Sequence, residues 1–150
     1  MYIRELCDQG LEFDEICEKA AAYRDRMNTY FVLESLDTLK KNGRLTGLQA
    51  FFATKLNIKP VMGADNGTII KLDQARGIQK ALQRMAEIAV KEAGTTKDKR
   101  LVIAHCNAPE RAQSMKEKLC SMAEFKEVVI TDTCGVSTVY ANDGGVILAL

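Results

Sequence analysis

Residues 58–72, with the sequence IKPVMGADNGTIIKL, contain two apolar runs separated by a turn. The runs are residues 58–63 and 68–72, and the tetrapeptide Ala64-Asp65-Asn66-Gly67 lies between them. Asn-Gly is typical of the two-residue turn of a β-hairpin, because both residues tolerate a positive φ. The stretch therefore predicts two antiparallel strands, and helices must cover the apolar face of the sheet to which they belong.

Helical patterns lie on both sides of this hairpin. A short helix is predicted to reach Lys41 and to end at Gly43, and a second helix is predicted over residues 47–57. After the hairpin, residues 77–93 repeat apolar side chains at the spacing of one helical face.

The rest of the chain alternates between helices and strands. Further helices are predicted for residues 1–9, 13–27 and 109–122, strands for 30–33, 101–105, 128–131 and 146–150, and irregular structure for 135–145. We therefore expect residues 1–150 to form a single α/β (α+β) domain. It should have two layers, with helices packed on a sheet of about six mixed, largely antiparallel strands.

Composition and charge exclude several classes of protein. The chain has 150 residues, of which 47% are hydrophobic and 27% charged, and its net charge is +1. Such a balance gives no basic footprint for nucleic acid. No apolar run approaches the roughly 20 residues that span a bilayer. Charges interrupt the first residues at once, which argues against a signal peptide and favours a cytoplasmic protein.

The cysteines and the single histidine suggest neither a metal site nor a cofactor. Five cysteines are widely spaced, and Cys17 and Cys120 lie in helical patterns, so we expect buried, reduced thiols. The one histidine, His105, ends a predicted strand, where a structural role is more common than a catalytic one. We find no Ser-His-Asp set and no glycine-rich phosphate loop, and expect no catalytic residue.

The turn KNGRLTG, residues 41–47, is the strongest candidate for a binding site. Its glycines permit a tight turn, and Arg44 can bind a carboxylate or phosphate with two parallel hydrogen bonds. A strongly apolar run follows at once over residues 48–58. One cation beside a long apolar surface suits an amphiphile with an anionic head. The alternative is a polar turn that leads into a core helix, with Arg44 paired to Asp37 or another neighbour.

Four motifs occur in an order that resembles the C-terminal domain of DegV-family proteins. They are FVLESLDTLKKNGRLTG at 31–47, LNIKPVM at 56–62, DNG at 65–67 and RGIQKAL at 76–82, and the resemblance fades after about residue 134. The resemblance implies a mixed, largely antiparallel sheet with helices packed over it. It also implies fatty-acid binding, and some members of the family are the fatty-acid-binding subunits of bacterial fatty acid kinase.

The resemblance assigns roles to several side chains. The family motif Gly-Gly-Arg-hydrophobe-Ser corresponds to residues 42–46, with Asn42 for the first glycine and Thr46 for the serine. It implies that Arg44 lies near the ligand's carboxylate, with Thr46 beside it. The following apolar run is expected to line the acyl chain through one group of side chains, Leu48, Phe51, Phe52 and Leu56. A core helix buried on two sides is the alternative for this run.

The C-terminal motif departs from the family pattern. Where the family has a histidine followed by Gly-Pro-Gly, this chain has Tyr140 and then Asn142-Asp143-Gly144. A tyrosine can donate a hydrogen bond to a carboxylate, but it carries no positive charge at neutral pH. We therefore expect Tyr140 to lie at the head-group site without the chemistry of a histidine.

The resemblance implies that this chain corresponds to the family's C-terminal domain, and we expect the N-terminal DegV domain to be absent from it. We therefore expect a fatty-acid-binding module, not an enzyme, whose partners are a long-chain fatty acid, the N-terminal DegV domain and a fatty acid kinase subunit. An isolated half should expose an apolar groove and could dimerise through it. Two alternatives are a substrate-binding domain related to dihydroxyacetone kinase, and an interaction domain that has lost its ligand.

Overall fold

The computed structural model describes residues 1–45, 57–65 and 67–150. Within these ranges, six strands form one mixed sheet in the order β3-β2-β1-β6-β4-β5. The strands are β1 Thr29–Val32, β2 Ile58–Asp65, β3 Thr68–Arg76, β4 Arg100–His105, β5 Glu127–Asp132 and β6 Val146–Ala149. The pair β4–β5 is parallel, and the other neighbouring strands are antiparallel. The predicted fold class is confirmed.

The hairpin that the Asn-Gly dipeptide predicts is present. Asp65 pairs with Thr68 across a two-residue turn, and Gly67 has a φ of +81°. The second residue of the turn therefore has the left-handed conformation that glycine adopts at little cost. The register shifts between Val61 and Met62. The two strands also extend beyond the apolar runs, to Asp65 and Arg76.

The described residues contain six helices. They are α1 Tyr2–Asp8, α2 Phe13–Arg24, α3 Asp37–Lys41, α4 Ile78–Ala93, α5 Pro109–Met122 and α6 Val136–Ala141. The helix predicted over residues 47–57 lies outside the described residues apart from Asn57. Residues 135–145 were predicted to be irregular, and that prediction is wrong because α6 occupies part of this range.

One face of the sheet packs against α4 and α5. The core on this side includes Tyr30 and Val32 of β1, Leu148 of β6, and Ala81 and Met85 of α4, all at most 2% exposed. Burying apolar area of this kind is the main favourable term in folding, at roughly 25 cal/mol per Å². The two long helices therefore fix the sheet from one side.

A smaller apolar cluster lies on the opposite face. It contains Leu33, Leu39, Leu45, Met62 and Ala141, and Phe31, Ile69, Tyr140 and Ile147 pack against it while partly exposed. Neighbouring strand residues alternate between the two faces, as a pleated strand requires. The short helices α3 and α6 thus lie on the face that α4 and α5 leave open.

The apolar stripe of α2 is not buried. Phe13 is 76% exposed, no residue of α2 is buried, and the helix contacts α1 through the stacked rings of Tyr2 and Tyr23. The expectation of buried thiols is wrong for Cys7, Cys17, Cys120 and Cys134, which are exposed, and right for Cys106, which is buried. Helical periodicity identifies the apolar face of a helix, but it does not show whether another element covers that face.

Candidate functional site

Backbone hydrogen bonds at the end of α3 fix the position of Arg44. The N–H of Gly43 donates to the carbonyl of Lys40 at 3.1 Å, and the N–H of Arg44 donates to the carbonyl of Leu39 at 2.9 Å. These two bonds form a Schellman motif, in which a left-handed residue ends the helix. Gly43 supplies that residue with a φ of +66°. The chain therefore leaves α3 in one defined direction.

The Arg44 side chain is exposed, and it forms no ion pair with any residue that the structure describes. The alternative pairing with Asp37 is thus not seen in this part of the chain. A guanidinium keeps its charge throughout the physiological pH range. Within the part of the chain that the structure describes, Arg44 is therefore available to an anionic ligand.

Arg44 and Tyr140 line the same cavity. Its volume is about 410 Å³, and its other lining residues are Leu39, Gly43, Gly67, Thr68 and Ile69. The two residues come from distant parts of the sequence, since Arg44 follows α3 and Tyr140 lies on α6. Two of the three predicted head-group residues therefore line one cavity. The third, Thr46, lies outside the described residues.

An apolar groove of about 250 Å³ adjoins this cavity. The groove and the cavity share Leu39, Ile69 and Tyr140, and the groove continues over Phe31, Leu33 and Ile147. One of its lining residues is an exposed apolar side chain of α6, Val136 at 71%. The predicted acyl-lining residues Leu48, Phe51, Phe52 and Leu56 lie outside the described residues.

Asn142 connects the two helices that border the cavity. Its side-chain oxygen accepts a hydrogen bond from the Thr38 hydroxyl of α3 at 3.1 Å. Its amide nitrogen donates to the carbonyl of Ser35 at 3.3 Å and to that of Tyr140 at 3.2 Å. No local sequence signal indicates this role, because Asn142 and Thr38 are 104 positions apart in the chain.

A compact ion cluster surrounds Glu34 just after β1. The Glu34 carboxylate binds Lys59 at 2.7 Å and Arg111 at 2.6 Å, and Arg111 also donates to the carbonyl of Gly144 at 2.8 Å. Burial acts to raise the pKa of Glu34, but the hydrogen bonds from Lys59 and Arg111 outweigh it and hold the pKa below its ordinary value. The cluster joins β1, β2, α5 and the segment before β6.

His105 belongs to the opposite face of the sheet. It is 5% exposed and lies on the same face of β4 as Leu101 and Ile103, which pack in the core beneath α4 and α5. Its Nδ1 accepts a hydrogen bond of 3.3 Å from the N–H of Ala108, next to the start of α5. This arrangement gives His105 a structural role, away from Arg44 and Tyr140.

No group of side chains in the described ranges is arranged to hold a metal ion. Nor does any helix within those ranges combine the length and apolar character needed to cross a membrane.

The cavity and the groove together offer a cation, a phenol and an apolar wall. That combination can bind an amphiphilic anion.

Comparison with known proteins relates the whole chain to one family. A family model described as an uncharacterised protein of the DegV family matches residues 1–149. A DegV domain-containing protein of Streptococcus pneumoniae is 34% identical over 147 residues, which cover 97% of this chain and 52% of that relative. The chain thus spans about half the length of the curated relatives it matches.

Two solved structures share the fold described here. A DegV-family protein of Ruminococcus gnavus, solved with vaccenic acid, has a TM-score of 0.94 and 45% identity, and the match covers 99% of this chain and 53% of that one. The Streptococcus pneumoniae fatty acid kinase B3 protein, loaded with linoleic acid, has a TM-score of 0.84 and 34% identity, with coverages of 98% and 52%.

Proposed function

This chain belongs to the DegV family, and from that premise we propose that it binds the carboxylate and part of the acyl chain of a long-chain fatty acid. The similar proteins from R. gnavus and S. pneumoniae were solved with vaccenic and linoleic acid, which supports this choice of ligand. The ligand is bound and presented, and the chain itself catalyses no reaction.

One observation carries the proposal: the cavity of Arg44 and Tyr140 opens into an apolar groove through shared lining residues. The guanidinium binds the carboxylate with charge-assisted hydrogen bonds, and the phenol donates one more. The acyl chain then lies along Phe31, Leu33 and Ile147. Head and tail are thus accommodated by adjoining parts of one surface.

Energetically, the tail supplies most of the affinity in this arrangement. A long-chain acid with about 14 methylenes gains roughly 11 kcal/mol if all are buried at about 0.8 kcal/mol each, before ordering costs. A charged hydrogen bond contributes about 1.5–3 kcal/mol. The apolar groove therefore sets how tightly the ligand binds, and Arg44 sets its orientation.

The sequence adds residues to this site that the structure does not describe. Thr46 follows Arg44 directly and is proposed to contact the same head group. Leu48, Phe51, Phe52 and Leu56 are proposed to continue the apolar wall along the acyl chain. These five assignments are predictions from the family motif.

The open groove also suggests which partners complete the site. Because the relatives are about twice as long, we propose that an N-terminal DegV domain covers the groove and encloses the ligand. A fatty acid kinase subunit is the proposed recipient of the acyl chain, by analogy with the similar S. pneumoniae protein. Without its other half, the chain is expected to dimerise through this face, which sedimentation velocity would detect.

Titration of the full-length gene product with oleate and with oleyl alcohol tests the proposed function. The two ligands share a tail, but only oleate has a carboxylate. We expect both to bind, with oleate tighter by at least about tenfold, the equivalent of one charged hydrogen bond. Equal affinities would contradict a built head-group site, and failure of both ligands to bind would contradict the proposal as a whole.

A further inference from the structure

One side chain, that of Asn142, contacts both sides of the proposed head-group site. Asn142 directly follows α6 and has a φ of +55°. Its oxygen accepts from Thr38 on α3, and its nitrogen donates to the main-chain oxygens of Ser35 and Tyr140. A single amide therefore joins the start of one helix to the end of the other.

The two helices joined in this way are short, and the proposed ligand-binding side chains lie on or just after them. Helix α3 has five residues and leads into Arg44, and α6 has six residues and carries Tyr140. Helices of this length are not stable by themselves in water, so contacts with the rest of the protein must hold them. Their spacing, and hence the separation of guanidinium and phenol, depends on such contacts.

Asparagine is well suited to this position for two reasons. It adopts the left-handed conformation more readily than most other residues, because its short polar side chain can bond locally. Its amide also provides a donor and an acceptor together, whereas an aspartate would lack the donor and a glycine would lack both. Both functions of the amide are used here.

We propose that Asn142 is a positioning residue for the carboxylate-binding site, acting through the placement of α3 against α6. The inference rests on the proposed function, since it assumes that Arg44 and Tyr140 bind a carboxylate. It differs from a general structural role, because Phe31 and Ile147, along which the tail is proposed to lie, belong to β1 and β6 and not to the two helices. A change in the spacing of the helices should therefore affect the head of the ligand more than its tail.

Two substitutions remove the link at different points. Asn142→Gly keeps the left-handed backbone accessible and deletes all three side-chain hydrogen bonds. Thr38→Val removes one hydroxyl from a half-buried position at nearly constant shape, and so provides a variant that should fold even if the first does not. Thr38→Ser keeps the hydroxyl and is the matched control.

The test compares dissociation constants for oleate and oleyl alcohol in the full-length gene product and these variants. We expect Asn142→Gly and Thr38→Val to weaken the binding of oleate about five- to tenfold, the equivalent of a hydrogen bond, and to weaken the binding of oleyl alcohol much less. Thr38→Ser keeps the hydroxyl and should bind oleate as tightly as the parent.

The outcomes separate this inference from the proposed function. If the unmodified protein binds no oleate, both are overturned. If it binds oleate, but the glycine and valine variants bind oleate as tightly as the parent, only the role of Asn142 is overturned. An equal loss for oleate and oleyl alcohol would likewise overturn it, because that result indicates a general loosening of the fold.

Discussion

The Arg44 guanidinium supplies the positive charge of the proposed head-group site. Arg44→Ala should weaken the binding of oleate by about 1.5–3 kcal/mol, the range for a hydrogen bond to a charged group. Thermal stability should change little, because the side chain is exposed. Isothermal titration calorimetry and a melting curve would measure both quantities.

Lys41→Ala is the matched control for that substitution. Lys41 is also exposed and lies three positions away, so its removal lowers the local charge equally without removing the guanidinium. It should cost much less affinity. If both variants lose the same affinity, Arg44 acts through general electrostatics and makes no specific bond to the head group.

We predict from the family resemblance that Tyr140 takes the place of a histidine at the head-group site, and introducing the histidine should then create a pH dependence. Imidazole gains a proton below a pKa of about 6.5, whereas phenol is neutral up to about pH 10. In Tyr140→His, binding of oleate should therefore tighten as the pH falls from 8 to 6, relative to the parent and to Tyr140→Phe. Parallel profiles for all three proteins would place Tyr140 away from the carboxylate.

The sequence anticipated some of these residues and missed others for a physical reason. Arg44 and Tyr140 belong to short motifs that could be compared with a family, and they do line one cavity. Asn142 has no such local signal, because its role arises from contacts with Thr38 and Ser35 on a distant part of the chain. Contacts of that kind become visible only once the chain is folded.

At the scale of elements, the Schellman motif at the end of α3 determines where Arg44 lies. Gly43→Ala places a side chain at a φ of +66°, which should cost about 1–2 kcal/mol of stability although no atom of the described residues lies within 4 Å of the new Cβ. The turn should shift to relieve this strain. Oleate affinity should therefore fall together with stability, as chemical denaturation and calorimetry would show.

The end of α1 provides the control for that effect. Gly10 has a φ of +73° and ends its helix with the same pair of hydrogen bonds, and no atom of the described residues lies within 4 Å of a Cβ added there. Gly10→Ala should cost similar stability and leave binding of oleate unchanged. If the two alanine variants bind oleate equally well, the turn after α3 does not position Arg44.

The Glu34 cluster, which joins several elements, should make the free energy of unfolding depend on pH. The pKa of Glu34 is lower in the folded state than the ordinary 4.5, so its contribution to stability is present above that pH and is lost as the pH falls through the folded pKa. The difference in unfolding free energy between the parent and Glu34→Gln should therefore shrink as the pH is lowered from 6 towards 3. A constant difference over this range would show that the charge of Glu34 is not responsible.

Elements with strong periodicity or turn signals were predictable, and weaker ones were not. The hairpin and α4 follow directly from an Asn-Gly turn and a long amphipathic pattern. Helix α6 has six residues, among them β-branched valines and threonine, and intrinsic propensity does not favour it. Burial of Ala141 and the hydrogen bonds of Asn142 stabilise it, so tertiary contacts override the local preference.

At the scale of the whole molecule, the two faces of the sheet differ in how they are covered. The face beneath α4 and α5 holds a large core, whereas Val136, which lines the groove on the other face, is exposed. Composition and patterning predicted the mixed sheet and its helices. They did not predict that the described helices divide between the two faces, with α4 and α5 on one and α3 and α6 on the other, because tertiary packing decides that division.

Native mass spectrometry of the full-length protein, purified without added lipid from the cells that encode it, tests the central claim most directly. We predict one long-chain fatty acid per protein molecule, identified after release by chromatography and mass spectrometry, with reduced occupancy in Arg44→Ala. A mass equal to that of the bare polypeptide, together with no uptake of added oleate, would contradict fatty-acid binding.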